Sequence, residues 1–439
     1  MTHSYGKKYR EINVYEATQE RLDFIFSNFE RIILSFSGGK DSGVMVHLAL
    51  DYIKSHKINK KLILFFVDLE AQYTYTIEYI KRMIEENYQY LEVHWCCMPL
   101  NLRNAVSVFA PFWTCWDKDN QDKWVRSYPL EMHNPKKNIY VWTLQNHLFD
   151  FFRYKMEFEE FSPSFVRHCG ADGLMTACLV GIRADESFNR FRTIANTNKR
   201  MFEGKQYTTQ IDENIYNVYP IYDWTTEDIW IANYRFGWDY NELYDLFYSS
   251  GIPLSAMRVC QPYGDDQKNG LNLFRAIEPQ TWGSVVNRVS GANFGNIYCK
   301  TKAMGYYEVK LPKGHTWKSY TKILLATLPP EIRDHYIAKF IKFIRYWNKK
   351  GCHISQESRK IEGVRSLRRL NSRGKELFIF TKIPDMAPKK IESAKQAPSW
   401  RRMATCIIKN DMLCRGLSFT QSKEQYGKIA KIMEKYKSF

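Results

Sequence analysis

The 439-residue chain has no apolar run near the ~20 residues needed to span a bilayer; its longest is about Leu62 to Val67. The N-terminal Met1-Thr2-His3-Ser4-Tyr5 lacks the apolar core of a secretory leader. The expectation is a cytoplasmic protein with no membrane partner. Ten cysteines are scattered, and no pair has the C-x-x-C spacing of zinc or iron–sulfur ligands. Neither a structural zinc nor an iron–sulfur cluster is expected, and the thiols read mostly as small buried apolar groups. The dinucleotide G-x-G-x-x-G and the Walker loop are both missing. So are internal repeats and long low-complexity tracts.

What is present is a six-residue turn, Ser37-Gly38-Gly39-Lys40-Asp41-Ser42. It follows the apolar run Ile32-Ile33-Leu34-Ser35-Phe36 and precedes Val44, His47, Leu48 and Tyr52 at helical spacing. The order is strand, glycine turn, helix. Two adjacent glycines let a ligand approach the backbone closely. The first free N–H groups of the helix point into the turn, and a helix N-terminus attracts anions. Phosphate or pyrophosphate is the expected cargo; a polar tight turn is the plainer alternative.

Further buried-type strands follow at 61–67, 91–97 and 174–182, with a fifth at 216–224. Strands alternating with helices predict an α/β protein with a doubly wound, mostly parallel sheet. Ligands of such sheets bind outside the carboxyl ends of the strands. Asp68, just past the second strand, shares that edge with the glycine turn. It is read either as a ligand group or as a cap for the helix near 74–87. Gly181-Ile182-Arg183 ends the fourth strand, and Arg183 there is placed to fork onto phosphate oxygens. The competing reading pairs Arg183 with Asp185 or Glu186. Thr225 and Asp228 have capping-box spacing.

Other stretches are less regular. Residues 101–165 are rich in aromatics and are expected to form an insertion over one end of the sheet, helical near 141–160. Residues 251–310 are glycine-rich and irregular, opened by Arg258, Cys260 and Gln261. The expected division is 1–265 nucleotide-binding domain, 266–315 connection or lid, and 316–439 basic helical C-terminal domain.

Charge is unevenly spread. Of a net +17, residues 1–300 carry 33 Lys+Arg against 36 Asp+Glu, while 301–439 carry 31 against 11. The back of the chain is therefore expected to face a polyanion. In 337–350, Ile337, Phe340, Ile341, Ile344 and Trp347 are read as one apolar stripe. Lys339, Lys342, Arg345 and Lys349 lie on another side, and with Arg368 and Arg369 they are the nucleic-acid candidates. A solvated basic face is the plainer reading.

Together these residues resemble a known family. SGGKDS after the first strand, an acidic residue after the second, G-x-R after the fourth and Y-P-I-Y-D-W-T-x-E-D-I-W at 219–230 are similar to the phosphoadenosine phosphosulfate (PAPS) reductase-like family. That family lies within the ATP pyrophosphatases of adenine nucleotide α-hydrolase fold, a three-layer α/β/α architecture. The similarity covers roughly 25–265. Arg183–Ser187 and Arg258-Val259-Cys260-Gln261-Pro262 resemble the IbrA-like subgroup, co-activators of prophage gene expression.

The resemblance implies that Ser37, Gly38, Gly39, Lys40, Asp41 and Ser42 hold the pyrophosphate of ATP or a related adenine nucleotide, PAPS included. Gly181 and Arg183 would complete the phosphate site. Asp68 would lie near the ribose or a magnesium ion, and Asp41 would meet magnesium through the nucleotide. Catalytic roles would fall on Lys40, Asp41 and Arg183. The reaction would attach AMP to an acceptor and release pyrophosphate.

The chain lacks the E-C-G-x-H segment of sulfonucleotide reductases, and Tyr263 stands where a C-x-P-C pattern has its second cysteine. PAPS reduction would then rest on Cys260 as thiol. The alternatives are a nucleic-acid-associated regulator whose nucleotide site is a sensor, a sulfonucleotide reductase, and an ATP sulfurylase small-subunit-like enzyme. The family resemblance also suggests a ParB-like protein partner.

Overall fold

The computed structural model describes residues 10–107, 110, 112–259, 261, 263–264, 271–293, 311–328, 330–371, 374–409, 411 and 414–419. They fall into two compact units, one within 1–106 and 111–297, the other within 107–110 and 298–439. Among the described residues no helix is long and apolar enough to cross a membrane.

The first unit is built on a seven-stranded sheet. Its strands are β1 (Arg31–Ser35), β2 (Leu62–Val67), β3 (Leu91–Cys96), β6 (Ile139–Trp142), β7 (Thr176–Val180), β8 (Thr208–Asp212) and β9 (Ile215–Val218), with a small separate hairpin of β4 (Asn101–Arg103) and β5 (Phe112–Thr114). The sheet order is β6-β3-β2-β1-β7-β9-β8. All neighbours are parallel except β8 and β9. Helices flank it in a three-layer α/β/α arrangement, as the sequence predicts. Ile32, Ile33 and Leu34 are at most 1% exposed, the pattern of a strand covered on both faces. Each such side chain contributes about 1.5–3 kcal/mol of burial.

The helices are α1 (Val14–Asn28), α2 (Lys40–Ser55), α3 (Thr74–Asn87), α4 (Phe158–Cys169), α5 (Phe188–Ala195), α6 (Thr226–Phe236), α7 (Leu243–Ser249), α8 (Leu271–Ile277) and α9 (Pro279–Arg288). Asn13 and Glu16 close a capping box on α1. Thr225 and Asp228 do the same on α6, which stops at Gly237 in the left-handed conformation.

Three local expectations change. The stretch near 141–160 is not helical before Phe158: Ile139-Tyr140-Val141-Trp142 is rich in β-formers and extends the sheet beside β3, and turns follow it. The fifth strand ends at Val218, because Pro220 has no N–H for a ladder. The glycine-rich stretch after 251 contains α8 and α9, the latter started by Pro279 at its first turn.

The second unit gathers helices Trp317–Ala326, Pro330–Arg345 and Trp400–Ile408 and an antiparallel hairpin, β10 (Val364–Leu370) with β11 (Glu376–Phe380). Its core includes Tyr336, Phe340, Phe343, Trp347, Phe378, Phe380, Met403 and Ile407. The apolar stripe of the long helix is therefore displaced from the expected one. Aromatic side chains at 336, 340, 343 and 347 win the core, while Ile337 and Ile341 stay 36% and 43% exposed.

Lys339 lies on the buried face, only 6% exposed. Its ammonium sits 4.7 Å from the Phe419 ring centroid and burial lowers its pKa, which removes it from the candidate nucleic-acid surface. Lys342, Arg345 and Lys349 are exposed. Arg368 and Arg369 stand on β10 rather than on a helix.

The long helix runs into one π-helical turn, Tyr346–Lys350, and ends at Gly351 with φ 64° and ψ −175°. A Cβ at Gly351 would lie 2.2 Å from the Phe378 carbonyl oxygen. That backbone region is open only to glycine. Gly351→Ala is expected to destabilise the second unit by about 3 kcal/mol or more, read as a lowered midpoint in denaturant melts of the full chain.

Candidate functional site

The sheet's strand order reverses beside β1: β2 and β3 lie on one side, β7 and β9 on the other. The crevice at that switch point is where open α/β sheets bind ligands. The Ser37–Ser42 turn leaves the carboxyl end of β1, and Gly181-Ile182-Arg183 leaves the neighbouring β7. The two sequence-predicted segments are thus brought together.

The turn is held in shape by its own side chains. The Ser37 N–H donates to Ser42 Oγ at 3.2 Å, the two hydroxyls are 3.0 Å apart, and Ser42 Oγ donates to the Gly39 carbonyl at 3.1 Å. Gly38 has φ 71°, and a Cβ on it would meet Thr76 Cγ2 at 2.7 Å. Gly39 is the N-cap of α2 and supplies no side-chain cap. The Asp41 and Ser42 amides find no acceptor among the described residues, so the helix end keeps its anion-binding capacity.

From α7 and the loop before it, Tyr244 Oη accepts the Lys40 N–H at 3.0 Å, while Asn241 Nδ2 donates to the Gly38 carbonyl at 2.9 Å. Asn241 is wholly buried and Tyr244 is 3% exposed.

Gly181 serves by close approach. A Cβ there would be 3.0 Å from the Asp41 carbonyl oxygen and from the backbone N and Cα of Ser42. The glycine lets the start of α2 pack against the end of β7.

Arg183 departs from its expected role. Its guanidinium is 1% exposed and every nitrogen is engaged within the protein. Nε donates to Asp41 Oδ1 at 2.5 Å, one terminal nitrogen to the Trp224 carbonyl at 3.4 Å and the other to Thr226 Oγ1 at 3.2 Å. It positions Asp41 and the first turn of α6 rather than forking onto a ligand. Lys40 Nζ donates to Asp41 Oδ2 at 3.2 Å and to the Met257 carbonyl at 3.3 Å.

Glu186 lies nearby, its carboxyl raised by burial, between Arg190 and Arg258. Its closest sequence signal was its place three residues after Arg183.

Asp68 lies on the same sheet edge but is wholly buried. Oδ2 accepts from Trp95 Nε1 at 2.7 Å, and Oδ1 accepts from Arg126 and from the Glu70 N–H. Glu70, with φ 64°, takes Arg288 Nε at 2.6 Å and its terminal nitrogen at 2.9 Å. These two carboxylate–arginine pairs tie the aromatic segment and α9 to the end of β2. Neither Arg126 nor Arg288 had a sequence signal, because each pairs with a carboxylate far away in the chain.

The residues do not form a protein-held magnesium site. Asp41 is committed to Arg183 and Lys40, Asp68 to Arg126 and Trp95, and no three metal-ligating side chains gather among the described residues. Cys260 lies outside the described residues. Cys96, Cys97 and Cys115, close to this edge, have thiols pushed well up by burial.

The family profile described as Phosphoadenosine phosphosulfate reductase domain matches residues 31–251. The chain belongs to that family. A second profile, Domain of unknown function (DUF3440), matches 251–428. The curated relative "Uncharacterized protein YbdN" of Escherichia coli (strain K12) is 33% identical over 419 residues, covering 94% of this chain and 92% of that one.

Among solved structures, PAPS reductase from Candida auris is 16% identical with a TM-score of 0.29, over 54% of this chain and 85% of that one. FMN adenylyltransferase from Candida glabrata with FAD and pyrophosphate is 15% identical at 0.29, over 54% of this chain and 64% of that one, less than two thirds of its length.

Removal of the Asp41 carboxylate leaves the Arg183 charge buried and unpaired. Asp41→Ala is expected to cost about 3–5 kcal/mol in urea unfolding, and Asp41→Ala/Arg183→Met to recover most of that loss.

Proposed function

We propose that this protein binds the pyrophosphate arm of ATP or a related adenine nucleotide in the Ser37–Ser42 turn and transfers AMP to an acceptor. The observation that carries the reading is the α2 N-terminus, which opens at the sheet's switch point with no side-chain cap and with free Asp41 and Ser42 amides. Backbone donors fixed before the ligand arrives favour charge that develops there. A nucleophile on the acceptor attacks the α-phosphorus. The bond from that phosphorus to the α,β-bridging oxygen breaks, and pyrophosphate departs with the electron pair. The acceptor's proton passes to solvent. Magnesium belongs to the nucleotide substrate.

Lys40 brings a cation to the site, and Arg190 and Arg258 beside Glu186 add two more near its mouth. Asp41, held by Arg183, keeps Lys40 in place. Thiol chemistry at this edge has less support, since the described cysteines near it are buried with raised pKa values.

A second reading has one supporting observation. Arg365, Arg368 and Arg369 are exposed and have no carboxylate partner among the described residues. It makes nucleic acid the partner of the second unit, and the acceptor of the first reading can be that nucleic acid.

Calorimetry with ATP, PAPS, adenosine phosphosulfate and GTP tests the nucleotide reading. At least one adenine nucleotide is expected to bind more tightly than GTP. Gly181→Ala, whose methyl would push on the start of α2, is expected to weaken that binding about tenfold, or ~1.4 kcal/mol. Absence of heat with all the adenine nucleotides would reject the reading.

A further inference from the structure

The hairpin of the second unit breaks the ordinary strand rule at one place. Side chains on a strand alternate between faces. On β10, Val364 pairs with Phe380, Arg365 with Ile379 and Ser366 with Phe378, but the next pair is Leu370 with Glu376. Four residues on β10 thus advance against two on β11. The surplus is a bulge spanning Leu367, Arg368 and Arg369, and Arg368 within it has φ 51°. Few residues other than glycine, asparagine and aspartate take that conformation. A bulge re-aims side chains, and here it leaves two consecutive arginines and Leu370 exposed, Leu370 at 67%.

One face of the hairpin is committed. Phe378 and Phe380 are at most 6% exposed in the unit's core, and Phe380 meets Trp347 with ring centroids 5.3 Å apart. Arg365 falls on the opposite face from the Ser366–Phe378 and Val364–Phe380 pairs. The outer surface of the ribbon therefore offers Arg365, Arg368, Arg369, Lys375 and Lys382, all exposed. Lys382 alone of these has a carboxylate within reach among the described residues, Glu362 at 3.8 Å with both side chains mostly exposed. Three exposed guanidiniums close together without counter-charge make a positive surface that attracts a polyanion.

We propose that β10 and β11 form a duplex-DNA docking ribbon, with Arg365, Arg368 and Arg369 on the phosphates or base edges of the major groove. This rests on the nucleic-acid reading of the second unit and names its ligand and its contact element. The B-DNA major groove is about 12 Å wide and admits a two-stranded β-ribbon, whereas the major groove of duplex RNA is too narrow for side chains to read. Single strands are bound by exposed aromatic platforms. The β10 strand, Val364 to Leu370, carries no aromatic residue at all. The strained Arg368 gives the second argument: glycine would fit its backbone better, so the side chain is kept there against conformational preference.

The test uses the full chain and fluorescence anisotropy with labelled duplex DNA, duplex RNA and single-stranded DNA. The expected order is duplex DNA tightest. Arg365→Glu/Arg368→Glu/Arg369→Glu is expected to lose at least tenfold more affinity than the charge-matched Lys313→Glu/Lys322→Glu/Lys390→Glu. Its log–log salt slope should be shallower by about 0.9 per arginine lost. Arg368→Gly should lower duplex affinity several-fold while holding or raising the thermal midpoint, which a purely structural arginine would not do.

Equal loss in the two triple variants would overturn the ribbon while leaving a diffuse basic surface. Tighter binding of RNA or single strands would overturn the duplex-DNA assignment. No binding to any of the three would reject the nucleic-acid reading itself, without touching the nucleotide calorimetry of the first unit.

Discussion

The arrangement of the crevice at the sheet's switch point depends on one buried cation. Arg183 leaves the end of β7 and reaches two separate pieces of chain: the carboxylate of Asp41 at the start of α2, and the Trp224 carbonyl with the Thr226 hydroxyl at the start of α6. A guanidinium has five N–H donors in a fixed plane and no state without charge. Buried at 1% exposure, it must find acceptors in that plane, so it fixes where the two helices begin. Gly181, two residues earlier, removes the Cβ that would hold α2 away. The pair Gly181 and Arg183 is one device: one residue permits the approach, the other locks it.

Much of this was legible in the amino-acid order. The first four buried strands, the glycine turn and the Thr225–Asp228 capping box follow from short-range rules, and the structure has them there. The edge shared by Ser37–Ser42, Asp68 and Arg183 followed from the carboxyl-end rule for parallel sheets. What sequence could not give was the partner of each charge. Arg183 read as a phosphate fork, or as the partner of Asp185 or Glu186, because amino-acid order shows only near neighbours. Its partner is Asp41, far away in the chain. Arg126 and Arg288 were invisible for the same reason: pairing with Asp68 and Glu70 is a tertiary fact with no periodic signature. The helix of the second unit shows a finer error. Isoleucines and aromatics both fit an apolar stripe there, and only the packing of Phe378 and Phe380 decided for the aromatics.

The two units manage charge in opposite ways. Around the sheet, the buried carboxylates Asp68 and Glu70 and the buried Arg183 each have an opposite charge beside them in low-dielectric surroundings, where an unmatched partner costs several kcal/mol. On the hairpin of the second unit, arginines are left unmatched in water, where each costs little by itself. Buried matching makes a rigid frame that holds a backbone turn still. Exposed excess makes a surface whose free energy falls when an external polyanion arrives.

Helix ends at the sheet edge add a constraint of direction. The α3 N-terminus is occupied by Glu278, which takes the Thr74 amide at 2.6 Å and its hydroxyl at 3.0 Å. At the α6 N-terminus the Thr225 hydroxyl accepts the Asp228 amide. The α2 start has no carboxylate on its first amides. A carboxylate already seated on α3 repels a second anion, so in the nucleotide reading the charged end of the ligand would turn towards α2 and away from α3. The occupied helix start would then set which end of a ligand leads, before any side chain reads what the ligand is.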